Sequence, residues 1–342
     1  MYLRVDLSLC DCRSAYWQLE TKESDRWLTA FVCDMGLFEF NRVPYGLKNS
    51  GSSFVRAITQ ILNPIHEIAK SFVDDVAVHS KMWRDHMCDL ENFLKTIEQS
   101  GLTLNLKKCK WAQKQVKFCG KIVGSGRILA DPEKLTVMEK LSPPKTKKEV
   151  RRVLGFFGYF RDHIHNYAEL AKPLTDLTSK RFHSTIPWEE PQQRAFDQLK
   201  EALKRATEEP LYPVDFDKPF HLFVDASQHT VSSAMTQVNA EGQHLPIAFS
   251  STKLTETQRN WAVIEKEAYA VLVALQKYRH WLLCGLTVIY CDHNPLYYLT
   301  ECAPKSAKLM RWALALQGYS TVFKYYPGKR NVVADYLSRL DN

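Results

Sequence analysis

The sequence predicts an α+β chain in which a part mixing short strands and helices precedes a helical stretch and then a strand–helix alternation. Three observations lead there. Short β-prone runs such as FVDDVAVHS at 72–80 lie among two helical stretches over residues 1–123. A Pro143-Pro144 break is followed by Thr146 and Glu149, the spacing of a capping box, so a helix should open there and run toward Arg161. From residue 220 the pattern reads strands, a long helix, one strand, more helix, a strand and a last short helix. Domains are expected at 1–123, 124–209 and 210–342, with the Pro- and Asp-rich segment 210–219 as a linker.

In the first part, Phe72, Val73, Val76 and Val78 flank Asp74 and Asp75, which puts two carboxylates at a hairpin tip. Like charges side by side repel by roughly 1 kcal/mol even at water's dielectric. The chain tolerates the pair if the tip is solvated, as in many turns, or if a cation sits between the charges. Mg²⁺ suits the second case, because it takes few carboxylates and completes its octahedron with substrate phosphate. Both readings stand on these residues alone.

The helical stretch continues after Pro191, where Ala195, Leu199 and Leu203 recur at helical spacing. Alternation through Phe220, Leu222 and Val224 then ends at Asp225, and LTVIYC at 286–291 ends before Asp292. Carboxylates at strand ends are where α/β folds tend to place chemistry. The long helix between them carries Ile264, Ala268, Val271, Leu275, Tyr278 and Leu282 on one stripe. Glu267 falls about 60° from the stripe centre and Glu265 about 100° away on the other side. Glu267 should therefore sit at the core edge and Glu265 face water. Asp335 lies in NVVADYLSR, a short amphipathic helix with Asn331 as its cap. Each of these acids is common in turns, but four in this order could hold two divalent cations for phosphodiester chemistry.

Composition narrows the partners. A hydrophobic share of 45% and a charged share of 25% suit a globular protein with real cores. The net charge of +8 permits a polyanionic partner. Basic runs at Lys107, Lys108 and Lys110, and at Lys145, Lys147, Lys148, Arg151 and Arg152, read either as solvated faces or as a track for such a partner. The 9 cysteines are odd in number and show no disulfide or zinc framework, which fits reduced thiols in a cytoplasmic, intracellular protein. No signal-peptide core and no run of ~20 apolar residues is present, so no membrane partner is expected.

Together the motifs resemble the polymerase and RNase H parts of the reverse transcriptase of gypsy-type LTR retrotransposons, over nearly the whole chain. LSLCDCRSAYWQLE at 7–20 looks like the family's first palm motif, with Asp11 as its metal-binding aspartate. VPYGLKNSGSSF at 43–54, with Tyr45 and Gly46, looks like the template- and nucleotide-contacting segment. FVDD at 72–75 matches the tyrosine-x-Asp-Asp box, with Phe72 in place of Tyr. LTLNLKKCKW and KFCGKIV resemble the lysine motif and the primer grip around Lys108 and Gly120. LGFFGYFRDHI at 154–164 resembles the connecting region. LFVDAS, IEKEAYAVLVAL, CDHNPL and ADYLSR resemble the four RNase H acidic motifs in order.

The resemblance implies a palm, a thumb or connection, and an RNase H-like α/β domain with a mixed five-stranded sheet. It implies RNA-directed DNA polymerase and RNase H activities, each with two Mg²⁺ or Mn²⁺ ions. Asp11, Asp74 and Asp75 would hold one pair, and Asp225, Glu267, Asp292 and Asp335 the other. Tyr16 would select deoxynucleotides, or be a core aromatic; Lys108 would protonate pyrophosphate, or bind phosphate. His293 beside Asp292 reads as a hydrogen-bonded structural residue or a proton shuttle. The implied partners are an RNA template, a DNA primer, an RNA–DNA hybrid and deoxynucleoside triphosphates, in the cytoplasm, the nucleus or virus-like particles. Ser50-Gly51-Ser52 departs from the family's Ala-Pro-Ala-like stretch, and Cys10, Cys12 and Cys119 replace aliphatic residues. The chain opens almost at the first palm motif, so on this reading the fingers are missing and the chain is a segment of a larger polyprotein. An element retaining only RNase H activity, or a silent nucleic-acid binder, are the alternatives.

Overall fold

The computed structural model describes residues 6–179, 182, 185–291 and 307–326. The chain divides into two compact units, one ending at Arg127 and the other beginning at Ile128.

The first unit runs β1 (Asp6–Asp11), the hairpin β2 (Phe31–Cys33) and β3 (Gly36–Phe38), α1 (Ser50–Leu62), β4 (Ala69–Phe72), β5 (Asp75–Ser80), α2 (Trp83–Ser100), β6 (Lys110–Gln113), β7 (Gln115–Phe118) and β8 (Lys121–Gly124). Its main sheet has the order β4-β5-β1-β6, with antiparallel neighbours throughout. Alternation along β1 and β5 gives the sheet two apolar faces. Cys10, Val76 and Val78 pack on Phe54 and Ile58 of α1 and on Leu90, Phe93 and Ile97 of α2. Those helix residues recur every three or four positions, so each helix buries one stripe. Each buried large side chain contributes roughly 1.5–3 kcal/mol. On the other face Leu7, Leu9 and Ala77 pack with Val116 and the partly buried Phe118 and Val123.

The expected hairpin is present, with Val73 and Asp74 as a two-residue loop between β4 and β5. Val73 has φ 56°, an uncommon conformation for a β-branched residue. A positive φ at the first loop position suits a primed hairpin turn. The strain, on the order of 1–3 kcal/mol, is imposed by the ladder on both sides.

The second unit takes up the chain within β9 (Arg127–Ala130) and continues with α3 (Glu133–Glu139), α4 (Lys147–Gly158), the short α5 (Tyr167–Leu170) and α6 (Lys172–Asp176), and α7 (Glu190–Glu208). Thr146 caps α4 by accepting from the Glu149 N–H at 3.2 Å, as expected. Glu149 also accepts the Lys145 N–H at 2.7 Å. The helix stops at Gly158 and does not reach Arg161, because the chain turns to bring Phe160 and Ile164 into the core with Phe157. Ala195, Leu199 and Leu203 of α7 line that same core.

Next come β10 (Phe220–Ala226), β11 (Thr230–Val238), β12 (His244–Lys253), α8 (Glu256–Arg259), α9 (Val263–Lys277), α10 (Arg279–Leu282), β13 (Thr287–Cys291), α11 (Ala307–Gln317) and β14 (Thr321–Tyr325). The five strands form one mixed sheet, ordered β12-β11-β10-β13-β14. β10, β11 and β12 are antiparallel, whereas β13 lies parallel to both β10 and β14. Leu222, Val224, Met235 and Ile289 bury one face against Ala268, Val271 and Leu275 of α9.

Segment 210–219 is not a free linker. Ile128 and Leu211 exchange backbone hydrogen bonds of 2.7 and 2.9 Å, and the Tyr212 N–H donates to Pro246 O at 2.8 Å. Edge strand β12 is also covered: the Phe249 N–H donates to Asp162 O at 2.9 Å, and Arg161 Nη2 to Ser251 O at 3.1 Å. Such cover removes an open template for strand pairing. The helical stretch and the five-stranded sheet thus share one compact unit.

One glycine in the first unit gives a stability test. Gly124 has φ 148°, and a Cβ there would lie 2.1 Å from Lys114 O, a backbone atom. Gly124→Ala should lower unfolding free energy by on the order of 2–4 kcal/mol in urea titration. An unchanged midpoint would refute this packing.

Candidate active sites

Asp11 ends β1 and Asp75 begins β5, and the two are direct register partners. Cross-strand partners project from the same face with Cβ atoms about 4.5–5.5 Å apart, and like charges so placed repel. Asp74 joins them from the turn, where its carbonyl accepts the Cys12 N–H at 2.9 Å. Lys108 answers part of this charge with Nζ 3.2 Å from Asp11 Oδ2. Burial first, and then the charges of Asp74 and Asp11, raise the Asp75 carboxyl above the usual aspartate range, with Lys108 opposing. The same negative field, after burial, pushes the Cys12 thiol up to about 12. Cys12 therefore stays a neutral thiol at neutral pH.

Three crowded carboxylates fit a divalent cation by charge and by their hard oxygen donors. Among the described residues no three His, Cys, Asp or Glu side chains form a ready coordination shell. Asp11 is held by Lys108, and Mg²⁺ needs few carboxylates because water and phosphate complete its shell.

Around this centre, Tyr16 lies in a 3₁₀ turn with its ring 5.0 Å from Tyr45 and 6.0 Å from Phe54. A Cβ on Gly51 would stand 3.4 Å from the Tyr16 hydroxyl, an ordinary contact, so Gly51 packs closely beside that residue. Tyr45 is 57% exposed, and Gly46 has φ 93°. Gly120, at φ 66°, and Cys119, at φ 49°, form the tight β7–β8 turn. At that hairpin Phe118 meets Phe72 edge-on at 6.3 Å. The structure thus brings Asp11, Asp74, Asp75 and Lys108 together, with the Phe118 end of the Gly120 hairpin against the residue before the carboxylate turn.

Sequence reasoning missed the backbone clamps here. Asn105 N–H donates to Asp11 O at 2.8 Å, and Gln18 Oε1 accepts the Thr103 N–H at 2.7 Å. Partners about 90 residues apart leave no local signal.

In the second unit, Asp225 is exposed near the end of β10 and Glu267 is 2% exposed on α9. Asp292, His293 and Asp335 lie outside the described residues. Glu265 corrects an expectation: it does not face water but pairs with Lys308 at 3.2 Å. Lys308 is itself 3.3 Å from the centre of the Trp261 ring, so an aromatic neighbour draws the pair inward. Lys147 is likewise no free member of a basic track, since its Nζ donates to Ser179 O at 2.6 Å.

Comparison with known proteins meets this geometry at both places. Residues 6–123 match the family model "Reverse transcriptase (RNA-dependent DNA polymerase)", and residues 215–319 match "RNase H-like domain found in reverse transcriptase". The chain is 37% identical over 341 residues to the Retrovirus-related Pol polyprotein from transposon opus of Drosophila melanogaster, covering 96% of this chain and 34% of that protein. It is 34% identical over 342 residues to that from transposon gypsy of the same species, covering 96% and 32%. The chain belongs to the reverse transcriptase family of gypsy-type retrotransposons. It spans about a third of the length of these curated relatives. A solved foamy viral protease-reverse transcriptase in complex with double-stranded DNA has the same fold, with TM-score 0.83, 24% identity, and 95% of this chain and 57% of that one covered. The same viral protein in complex with RNA/DNA hybrid gives TM-score 0.82 at 24% identity over 96% and 44%. The reverse transcriptase part of this chain thus contains the carboxylate centre, and the RNase H-like part contains the mixed sheet. Among the described residues no helix is long and apolar enough to cross a membrane.

The crowding at Asp75 has a measurable sign. Between the usual aspartate range and its raised value, the native state keeps a proton that the unfolded chain releases. Stability therefore falls as pH rises through that window. Asp75→Asn is neutral at every pH, so its urea midpoint at pH 7 should match or exceed the parent's, with the gap closing toward about pH 4. A variant clearly less stable than the parent at pH 7 would contradict the crowding.

Proposed function

We propose that this chain is an RNA-directed DNA polymerase that also cleaves the RNA of RNA–DNA hybrids. The observation that carries the polymerase reading is the Asp11–Asp75 pair across one ladder rung, with Asp74 beside it and Lys108 on Asp11. Asp11, Asp74 and Asp75 would hold Mg²⁺ or Mn²⁺. Bound metal would supply activation of the primer 3′-hydroxyl and charge stabilisation of the leaving pyrophosphate.

The chain's own side chains do the rest. Lys108, with Nζ 3.2 Å from Asp11 Oδ2, would either bind the leaving pyrophosphate or donate a proton to it. Tyr16, braced by Phe54 and Tyr45, would stand as a wall against a ribose 2′-hydroxyl. Exposed Lys148, Arg151 and Arg152 on α4 would bind the phosphate backbone, making affinity fall steeply with salt. In functional terms residues 1–123 form the palm, 124–209 the thumb or connection, and 210–342 the RNase H-like domain. There Asp225, Glu267, Asp292 and Asp335 would hold the second pair of ions. Partners are a template-primer, deoxynucleoside triphosphates and an RNA–DNA hybrid.

The test of the polymerase is extension of a DNA primer on an RNA template by the full chain with Mg²⁺. Asp11→Asn should abolish extension while leaving the thermal melt intact. Equal extension by parent and variant would remove Asp11 from the mechanism.

The nuclease is tested separately on a labelled hybrid. Asp225→Asn and Glu267→Gln should each abolish RNA cleavage, whereas Glu265→Gln should spare it and lose only the Lys308 pair. Cleavage that fails at position 265 and survives at 267 would reverse the assignment.

A further inference from the structure

Behind the carboxylates, on the helix-covered face of the same sheet, lies a run of buried polar groups that the chemistry above does not use. Ser8 and His86 are 0% exposed and Ser80 is 5% exposed. Ser8 lies opposite Val78, and Ser80 opposite Asp6, in the antiparallel register of β1 and β5. Both hydroxyls therefore project to the face that Val78 buries under α2. His86, in the first turn of α2, reaches between them. Its Nε2 is 2.9 Å from Ser8 Oγ and its Nδ1 is 3.0 Å from Ser80 Oγ. Ser80 donates to Asp89 Oδ2 at 2.6 Å, and the Ala112 N–H donates to Ser8 Oγ at 2.9 Å.

For a neutral imidazole, counting protons sets the direction of every bond. A hydroxyl has one proton to give. Ser80 gives its own to Asp89, so it can only accept from His86, whose proton must then be on Nδ1. The neutral ring accepts at Nε2, so Ser8 donates to it, and the Ser8 oxygen is left to accept the Ala112 N–H. With the ring proton on Nε2 instead, Nδ1 and Ser80 Oγ would meet lone pair to lone pair.

Ala112 is where β6 departs from regular pairing. Leu7 pairs with Gln113 and Leu9 with Lys110, so β6 carries one residue more than β1 across that step. This is a bulge. Ala112 has φ 51°, and its N–H turns to Ser8 in place of a ladder carbonyl. Directly upstream, the loop leading into β6 meets Asp11 twice, through Asn105 N–H to Asp11 O at 2.8 Å and Lys108 Nζ to Asp11 Oδ2 at 3.2 Å.

We propose that Asp89, Ser80, His86 and Ser8 form a one-way hydrogen-bond relay that pins the β6 bulge and thereby positions Lys108 on Asp11. His86 is a positioning residue in this arrangement, held as the Nδ1–H tautomer. The relay's effect on nucleotide transfer rests on the polymerase reading, whereas the relay itself does not.

Nitrogen-15 NMR of the full chain labelled at histidine, with His86 assigned from a His86→Gln difference spectrum, should show Nδ1 protonated and Nε2 bare. Asp89→Ala, at a partly exposed site, frees the Ser80 proton for Nδ1 and should move the ring proton to Nε2. A merely space-filling Asp89 would leave the tautomer unchanged. Ser8→Ala should speed amide exchange at Ala112 by about tenfold, the loss of one hydrogen bond. A doubly protonated ring or an Nε2–H tautomer in the parent, or a tautomer unmoved by Asp89→Ala, would overturn the relay. Should Ser8→Ala not fold, the Asp89→Ala spectrum decides. For the functional half, Ser8→Ala should lower kcat for primer extension by about tenfold with the triphosphate KM within about twofold. An unchanged kcat would overturn the positioning role. A parent that extends no primer would overturn the polymerase reading, leaving the relay to be judged by the two spectroscopic results.

Discussion

Two aspartates facing each other across one rung of an antiparallel ladder are the constraint on which the first unit depends. Asp11 and Asp75 cannot move apart without breaking the pairing of β1 with β5, which runs from Asp6↔Ser80 to that rung. Their repulsion is therefore stored in the native state. Compensation comes from elsewhere, chiefly from the apolar residues that alternate with polar ones along the same two strands. Phe54, Ile58, Phe93 and Ile97 seal one face of the sheet, and Val116 seals the other. At roughly 1.5–3 kcal/mol for each large buried side chain, this burial far exceeds the cost of one crowded carboxylate pair. Val73 adds its own strained backbone at the turn, held by the same ladder. Strain and like charge concentrated at one point are consistent with the cation site proposed there.

The sheet divides its labour by face. Successive residues point to opposite sides, so Asp11 and Asp75 share one face while Ser8 and Ser80 share the other. The first face offers charge to a ligand. The second closes a chain of hydroxyl and imidazole bonds with no exposed member except the partly accessible Asp89. A fully satisfied buried polar chain favours one arrangement of the strands over its neighbours, because slipping the register would orphan several groups together. The β6 bulge, the lysine loop and the carboxylate rung are thereby held in one geometry.

The second unit solves a different problem. Its mixed sheet has β12 at one edge, and the helical stretch before it supplies the cover through Asp162 and Arg161. Leu211 and Tyr212 are drawn into backbone pairing as well, which makes a Pro- and Asp-rich run part of the fold. Glu267 is buried on α9 while Asp225 is exposed on β10, so the two acids start from unequal environments.

The sequence by itself determined the main elements and the family. FVDDVAVHS reads as a hairpin because β-prone residues flank a turn, and Thr146 with Glu149 reads as a cap because both partners lie within one helical turn. The order of strands and acids along the chain carried the family resemblance, and Glu267 was placed at the core edge by helical angle alone. All of these are short-range properties, encoded within a few residues. Tertiary structure decided what depends on distant partners. Glu265 was expected in water, but Lys308 and Trp261 drew it inward. Lys147 belongs to a basic run, yet two carbonyls beyond residue 178 occupy it. The helix expected to reach Arg161 ended at Gly158 because the core required Phe160. Nor does any local pattern say that Ser8 meets His86, or that Asp11 stands opposite Asp75. Those pairings are set by strand register and packing, which depend on how the whole sheet buries its apolar faces.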